Sequence, residues 1–172
     1  MQYRSRFGFT LIELVIILAL VVIITTLAIP SFQSIINNNQ IITTANNLAS
    51  SLYLARSEAL KRGVTVSVCA SADQNFDSCG QDWHQGWIVF VNPNDQNSID
   101  DLILRVTQVK HQHLTITPTP VTGKASYQRD GFPSAASSNL NFNLTSKHCS
   151  ADNGRSLTLT PTGRIQLDNL DC

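Results

Sequence analysis

Hydrophobic residues are concentrated near the N-terminal end of the chain. Leu14–Ile24 is an unbroken run of eleven apolar residues, and the 21 residues Phe9–Ile29 contain a single charged residue, Glu13. As an α-helix this longer stretch measures about 31 Å, which is enough to cross a bilayer. Two arginines precede it, and the next charged residue is Arg56. Because the cationic flank of a membrane segment stays in the cytoplasm, we expect the rest of the chain to be exported.

A second pattern, with helical spacing, follows the apolar stretch. Six apolar residues recur at steps of four and three and define one face of an amphipathic helix: Ile41, Ala45, Leu48, Leu52, Ala55 and Ala59. Lys61 and Arg62 suit the last turn of a helix, Glu58 can pair with Arg62, and Gly63 supplies a left-handed stop. The pattern therefore predicts one long helix over residues 9–62, apolar on all sides in its first half (9–29, membrane-spanning) and amphipathic in its second.

After Gly63 the period of the pattern changes to two, which is typical of strands. Short alternating or apolar runs occur at 64–68, 87–91, 102–109, 140–144, 156–160 and 164–167, the last two forming a hairpin. The segment 118–138 is rich in Pro, Gly, Ser and Ala, and we expect an irregular surface excursion there. The sequence thus predicts an α+β protein, in which a long N-terminal helix packs on a globular, antiparallel β-rich head formed by residues 63–172.

Composition narrows the class of function. Charged residues make up 14% of the 172 residues, against roughly 25% in an average soluble chain. The chain has 12 lysines and arginines and 12 aspartates and glutamates, so its formal net charge is zero. This balance argues against a strongly basic nucleic-acid-binding protein and against an acidic disordered tail. The chain contains no phosphate-binding loop, nucleophile elbow or zinc-protease helix motif. We therefore expect a protein that is not an enzyme and needs no cofactor or metal.

Glu13 distinguishes three interpretations of the N-terminal stretch. A cleaved secretory signal would end near Thr26-Leu27-Ala28, and a plain signal anchor would keep the helix. Neither interpretation explains why a carboxylate is present in the stretch. Inserting a carboxylate costs about 2.5–3.5 kcal/mol of free energy at the centre of a bilayer and less near an end. The third interpretation is that Glu13 has a partner in the membrane.

The residues around Glu13 carry a specific resemblance. Gly8-Phe9-Thr10-Leu11-Ile12-Glu13, behind a short basic leader and ahead of an apolar run and Pro30, resembles the class III signal of type IV pilins and type II secretion pseudopilins. The resemblance implies that prepilin peptidase removes residues 1–8 by cutting after Gly8, and that the new N-terminus, Phe9, is methylated. The apolar helix then stays as a single-pass anchor in the bacterial inner membrane, with the head in the periplasm, until it enters the filament.

The same resemblance gives Glu13 a role in assembly. The amine of Phe9 in a neighbouring subunit would neutralise the buried carboxylate and set a one-subunit stagger between helices, a register function that buried polar groups can supply.

The rest of the chain is similar to the GspH/FimT/FimU group of minor pilins and pseudopilins. The similarity lies in a helix ending Ala55-Arg56-Ser57-Glu58-Ala59, a strand with Cys69, the segment Gly86–Phe90 and a late Gly163-Arg164 turn. This implies a structural subunit of a type IV pilus, with functions in motility and transformation, whose partners are other pilin subunits. The alternative is a minor pseudopilin of a type II secretion system.

Four cysteines lie on the predicted exported side, where disulfides persist. Three connectivities are possible for Cys69, Cys79, Cys149 and Cys172. We favour Cys69–Cys79, which closes a short polar loop, and Cys149–Cys172, which ties down the last residue. A zinc site is disfavoured because the cysteines have no CxxC-like spacing.

A second alternative is a minor pilin that binds DNA during uptake. Some FimT-like pilins adsorb DNA through a Gly-Arg-x-Arg motif, but here Gly163-Arg164 continues as Ile165-Gln166, so the second arginine is missing. The candidate DNA-contact residues are Lys147, Arg155 and Arg164. Losing one cation weakens a contact that depends mainly on phosphate.

Overall fold

One continuous α-helix, α1, spans Leu11–Arg62 in the computed structural model of the chain. The structure describes residues 8, 10–94, 99, 102–110, 113–147 and 153–172, with the side chains of 27–31 in the helix left aside. The chain forms two compact units that divide between Ile36 and Asn37. The first contains the beginning of α1, and the second contains the rest of α1 and every strand found among the described residues.

Both ends of α1 follow from local chemistry. At the start, the Thr10 hydroxyl accepts a hydrogen bond from the Glu13 amide at 3.3 Å, as expected of an N-cap residue. At the end, Gly63 adopts a φ of 68° and donates its amide to the Ala59 carbonyl at 2.9 Å. Glu58 accepts a hydrogen bond from Arg62 at 2.5 Å, and this bond lowers the pKa of the Glu58 carboxyl. The long N-terminal helix is thus confirmed, whereas the membrane span predicted over residues 9–29 stays a prediction. Within the described residues, no helical segment is both long enough and apolar enough to cross a membrane.

The second unit contains two antiparallel sheets of four strands. Their orders are β3-β2-β1-β5 and β4-β6-β7-β8. The strands are β1 (Val66–Ala70), β2 (Gly86–Val91), β3 (Ile103–Gln108), β4 (Leu114–Thr119), β5 (Lys124–Tyr127), β6 (Leu140–Ser146), β7 (Gly154–Leu159) and β8 (Ile165–Leu170), with a short 3-10 helix at Ala135–Ser137.

The predicted helix stripe forms the centre of the core. All six of its residues are at most 1% exposed. They share one buried cluster with the inward residues of both sheets, chiefly Val66, Val68, Trp87, Val89, Leu140, Phe142, Leu144, Leu157 and Leu159. The alternating apolar residues of β1 and β6 thus face the helix, as does every second residue of the apolar run in β2.

Both tryptophans are buried and hydrogen-bonded. Trp87 donates its indole N–H to the Ser51 hydroxyl of α1 at 2.9 Å, and Trp83 donates to the Thr122 carbonyl at 2.8 Å. The Trp83 ring meets Phe142 edge-on, with centroids 4.7 Å apart. Both indoles are fully buried, so neither presents a ring to a nucleic-acid base.

The opposite face of the first sheet is also covered. It carries a small apolar cluster of Cys69, Phe76, Ile88 and Phe90. Beside this cluster lies a buried polar network, in which the Ser67 hydroxyl meets that of Ser126 at 2.8 Å and accepts from Asn92 at 2.9 Å. These groups satisfy one another, which offsets the cost of burying them.

The expectation of irregular structure over 118–138 is wrong for part of that segment. Strand β5, at Lys124–Tyr127, completes the first sheet by pairing with β1, and β4 extends to Thr119. The alternation of Lys124 and Ser126 with Ala125 and Tyr127 is only four residues long, so the Pro and Gly content around it dominated the prediction. Pro118 lies in β4, an edge strand, where a missing N–H is tolerated.

Candidate functional site

The first turn of α1 holds the residue on which the predicted assembly role depends. Glu13 lies exposed just after the Thr10 cap, where the positive end of the helix dipole favours a carboxylate. Gly8 is exposed, and Phe9 lies outside the described residues. The predicted cleavage after Gly8 and methylation of Phe9 therefore stay predictions.

Apolar side chains surround Glu13 on every side of the helix. Leu11 is 82% exposed and Ile12 is 64% exposed, and large apolar residues from Leu14 to Ile24 are all at least 43% exposed. A helix that is hydrophobic all round is normally covered by lipid or by other protein. The first unit therefore presents a surface that needs an apolar partner, with one carboxylate in it.

A disulfide joins Cys69 of β1 to Cys79, with Cα atoms 5.6 Å apart. The loop it closes is also held by backbone bonds, from the Ala72 amide to the Ser78 carbonyl and from the Gly80 amide to the Ala70 carbonyl. Cys172 is disulfide-bonded as well. Its predicted partner, Cys149, lies outside the described residues, so that second pairing stays a prediction.

The three candidate DNA-contact residues do not form one patch. Lys147 follows β6, and Arg155 lies near the start of β7, at the same end of the second sheet. Arg164 lies at the other end of the hairpin, five residues from Asn169, the cross-strand partner of Arg155, or about 17 Å along the strand. Arg155 is half-buried and donates to the Gly154 carbonyl at 2.8 Å. These positions give no continuous cationic surface, and the DNA alternative stays a prediction.

A contact that sequence reasoning missed joins α1 to the β7–β8 turn. Arg56 donates to the Gly163 carbonyl at 2.7 Å and to the Thr162 carbonyl at 3.1 Å. We call this pair of hydrogen bonds the Arg56 clasp. Both ends of it lie in segments that carried the family resemblance, but nothing in their sequence spacing shows that they meet.

Close packing around the Arg56 clasp explains why residue 163 is a glycine. Gly163 has a φ of 76°, and a Cβ there would lie 2.9 Å from the Gly131 carbonyl oxygen and 3.1 Å from Arg56 Cζ. The Tyr127 ring lies on the same side, at 3.3 Å. Its hydroxyl is buried without a hydrogen-bond partner among the described residues, and burial raises the pKa of the Tyr127 phenol.

The sequence matches the family model of Type II transport protein GspH over residues 44–163. The chain belongs to the GspH family. The matched region begins in α1 and ends at Gly163, so it includes both sides of the Arg56 clasp. The resemblance to the GspH/FimT/FimU group is thereby confirmed. This family consists of structural pilin subunits, not enzymes, which is consistent with the expectation of a non-enzyme.

Two solved structures have a fold similar to that of this chain. The type IV minor pilin FimU of Pseudomonas aeruginosa matches with a TM-score of 0.60 and 24% identity, over 76% of this chain and 89% of that one. The minor pseudopilin EpsH from the type 2 secretion system of Vibrio cholerae matches with a TM-score of 0.50 and 15% identity, over 76% and 97% of the two chains. A comparison with curated proteins gave no match. The pilin-like fold, a long N-terminal helix packed on antiparallel sheets, is confirmed.

Proposed function

We propose that this GspH-family chain is a minor pilin, a structural subunit of a type IV pilus. The observation that carries the proposal is Glu13, a carboxylate at the start of a helix whose apolar side chains are exposed all round. A helix of this kind can be held in a membrane before assembly and can then pack among the helices of other subunits. The similarity of the fold to that of the type IV minor pilin FimU is consistent with this proposal.

Glu13 gives the helix a fixed register in this proposal. Prepilin peptidase cuts after Gly8, and the amine of Phe9 in one subunit neutralises Glu13 in the next. The free energy of a carboxylate in an apolar setting is high unless a positive charge faces it. The pairing therefore penalises every axial offset except the one that brings amine and carboxylate together.

The substitution Glu13→Ala tests this role. We expect the variant to be cleaved at Gly8 and to accumulate in the inner membrane, as read by mass spectrometry of the mature N-terminus. Its incorporation into sheared filaments should fall at least about tenfold, because alanine cannot form an ion pair with the amine of the neighbouring subunit. Glu58→Ala, which removes the other acid of α1, is the matched control and should assemble normally. Wild-type incorporation of the Glu13 variant would contradict the register role.

A type II secretion pseudopilin is the second candidate, favoured by the family description and the similarity to EpsH. A null mutant separates the two functions. Loss of surface pili and twitching with normal secretion supports the pilus, whereas a secretion defect with normal pili supports the pseudopilus.

A further inference from the structure

A cavity of about 310 Å³ lies in the second unit, where the disulfide-closed loop, the turn before β2, the end of β3 and the start of β4 meet. Its polar lining residues are Gln74, His84, Gln85, Gln108 and Lys110. This volume is at the lower end of the range for pockets that bind small molecules. The proposed role in assembly makes no use of this cavity.

Backbone, covalent and apolar contacts hold the walls of the cavity in place. The Val109 amide donates to the Gln85 carbonyl at 3.2 Å, which joins the end of β3 to the turn before β2. The Cys69–Cys79 disulfide closes the loop that contains Gln74. Val109 and Leu114 supply apolar lining, and both belong to the core, where Leu114 is buried and Val109 packs against it. The polar side chains therefore stand on fixed segments.

A carboxylate orients the imidazole of His84. Asp82 Oδ1 lies 2.9 Å from His84 Nδ1, and the same oxygen accepts the His84 amide at 2.9 Å. Because a carboxylate only accepts hydrogen bonds, Nδ1 carries a proton, and Nε2 of the neutral ring is an acceptor. His84 thereby has one acceptor available to a ligand.

The other polar side chains of the lining have unused hydrogen-bonding groups. Within the described part of the chain, no group pairs with the side chains of Gln74, Gln85, Gln108 or Lys110. Each glutamine amide offers a donor and an acceptor, whereas Lys110 offers donors only. None of the described lining residues is acidic, so Lys110 gives the cavity a positive charge at neutral pH.

This set of groups selects among classes of ligand. A metal ion would meet amide donors and the repulsion of Lys110, and a phosphate, which only accepts, would leave the glutamine carbonyls unpaired. An apolar ligand would leave every polar group unpaired. The hydroxyls of a sugar both donate and accept, so two neighbouring hydroxyls match one glutamine amide. A carboxylate on the sugar would form a charge-assisted hydrogen bond with Lys110.

We propose that this cavity binds an acidic saccharide, a sugar unit that carries a carboxylate. The glutamine amides and His84 bind its hydroxyls, and Lys110 binds its carboxylate. Val109 and Leu114 lie against the C–H groups of the ring. The site belongs to a single chain, so it does not depend on whether the chain serves in a pilus or in a secretion system.

Binding of the full-length chain, purified in detergent, to immobilised polysaccharides tests the site. Polygalacturonate, alginate and hyaluronate contain sugar acids, and dextran is the neutral control. We expect binding to at least one of the acidic polymers and at least about tenfold weaker binding to dextran, which cannot pair with Lys110. Lys110→Gln should lower the affinity about tenfold, and Gln108→Leu about three- to tenfold. Lys61→Gln and Gln166→Leu, matched changes at exposed positions elsewhere, should bind as the wild type does.

Competition separates recognition of the sugar from attraction to a polyanion. The free sugar acid of the bound polymer should displace the chain, and the corresponding neutral sugar should not. Since Lys110 and Gln108 are exposed, the unfolding midpoints of their variants should stay within about 2 °C of the wild type, so lost binding does not reflect unfolding. Absence of binding to all three acidic polymers, wild-type binding by both cavity variants, an equal loss in Lys61→Gln, or equal competition by the neutral sugar would overturn the proposal.

Discussion

At the scale of single residues, Tyr127 combines a well-packed ring with an unsatisfied polar group. Its ring is fully buried in the core, but its hydroxyl has no hydrogen-bond partner among the described residues. A buried hydroxyl in this state has lost its bonds to water without gaining a replacement. The hydroxyl of Tyr127 therefore reduces the free energy of unfolding, while the ring increases it.

Tyr127→Phe should stabilise the protein. Removing the hydroxyl keeps the packed ring and removes the desolvation cost, so the free energy of unfolding should rise by about 1 kcal/mol in urea titration at neutral pH. Tyr53→Phe is the control, since Tyr53 is 51% exposed and its hydroxyl can reach water. A loss of stability in the Tyr127 variant would show that the hydroxyl has a stabilising partner.

The same variant should differ from the wild type in alkali. Burial raises the pKa of Tyr127 in the folded state. Above the unfolded pKa of about 10, only the unfolded chain releases this proton readily, so wild-type stability falls as the pH rises from there. Tyr127→Phe should lose less stability over that range. Identical alkaline profiles for the two proteins would contradict the assigned shift.

At the scale of elements, the sequence predicted long or strongly periodic segments well. The helix stripe from Ile41 to Ala59 and the strand with Gly86–Phe90 have enough apolar residues to outweigh local propensity. Strand β5 is four residues long, and it exists because β1 has a free edge beside it. Partner strands that are distant in sequence leave no local pattern, which is why neither β5 nor β4 was predicted.

The junction of elements at the Arg56 clasp allows a comparison of two glycines. Gly63 and Gly163 both have positive φ, but a Cβ at Gly63 would meet nothing within 4 Å. Gly63→Ala should therefore cost only the strain of the left-handed backbone, about 1 kcal/mol. Gly163→Ala adds a clash with the Gly131 carbonyl and should cost about 2–4 kcal/mol, measured by urea unfolding. Equal losses would mean that the turn can move away from Arg56.

At the scale of the whole molecule, the unit Asn37–Cys172 contains the core cluster and both sheets.

The candidate site was harder to predict from the sequence than the fold. A motif places Glu13, but the contact of Arg56 with Gly163 arises only when segments that are distant in sequence are brought together.

Residues 37–172 should fold without the apolar part of α1. We expect this fragment, produced in an oxidising compartment, to be monomeric and to unfold cooperatively, with both tryptophans shielded from quenchers in the folded state. Size-exclusion chromatography with light scattering and tryptophan fluorescence would check this. A fragment with exposed tryptophans and no cooperative transition would show that the first unit is needed for folding.

The Arg56 clasp also has a consequence for biogenesis. Its two ends are 107 positions apart, and the ribosome completes the helix long before the turn that Arg56 binds. Contacts between such distant positions form late, because the intervening loop must first be closed. Until the final hairpin has been synthesised, the apolar stripe of α1 therefore stays exposed in the nascent chain. During that interval the chain depends on chaperones to avoid aggregation.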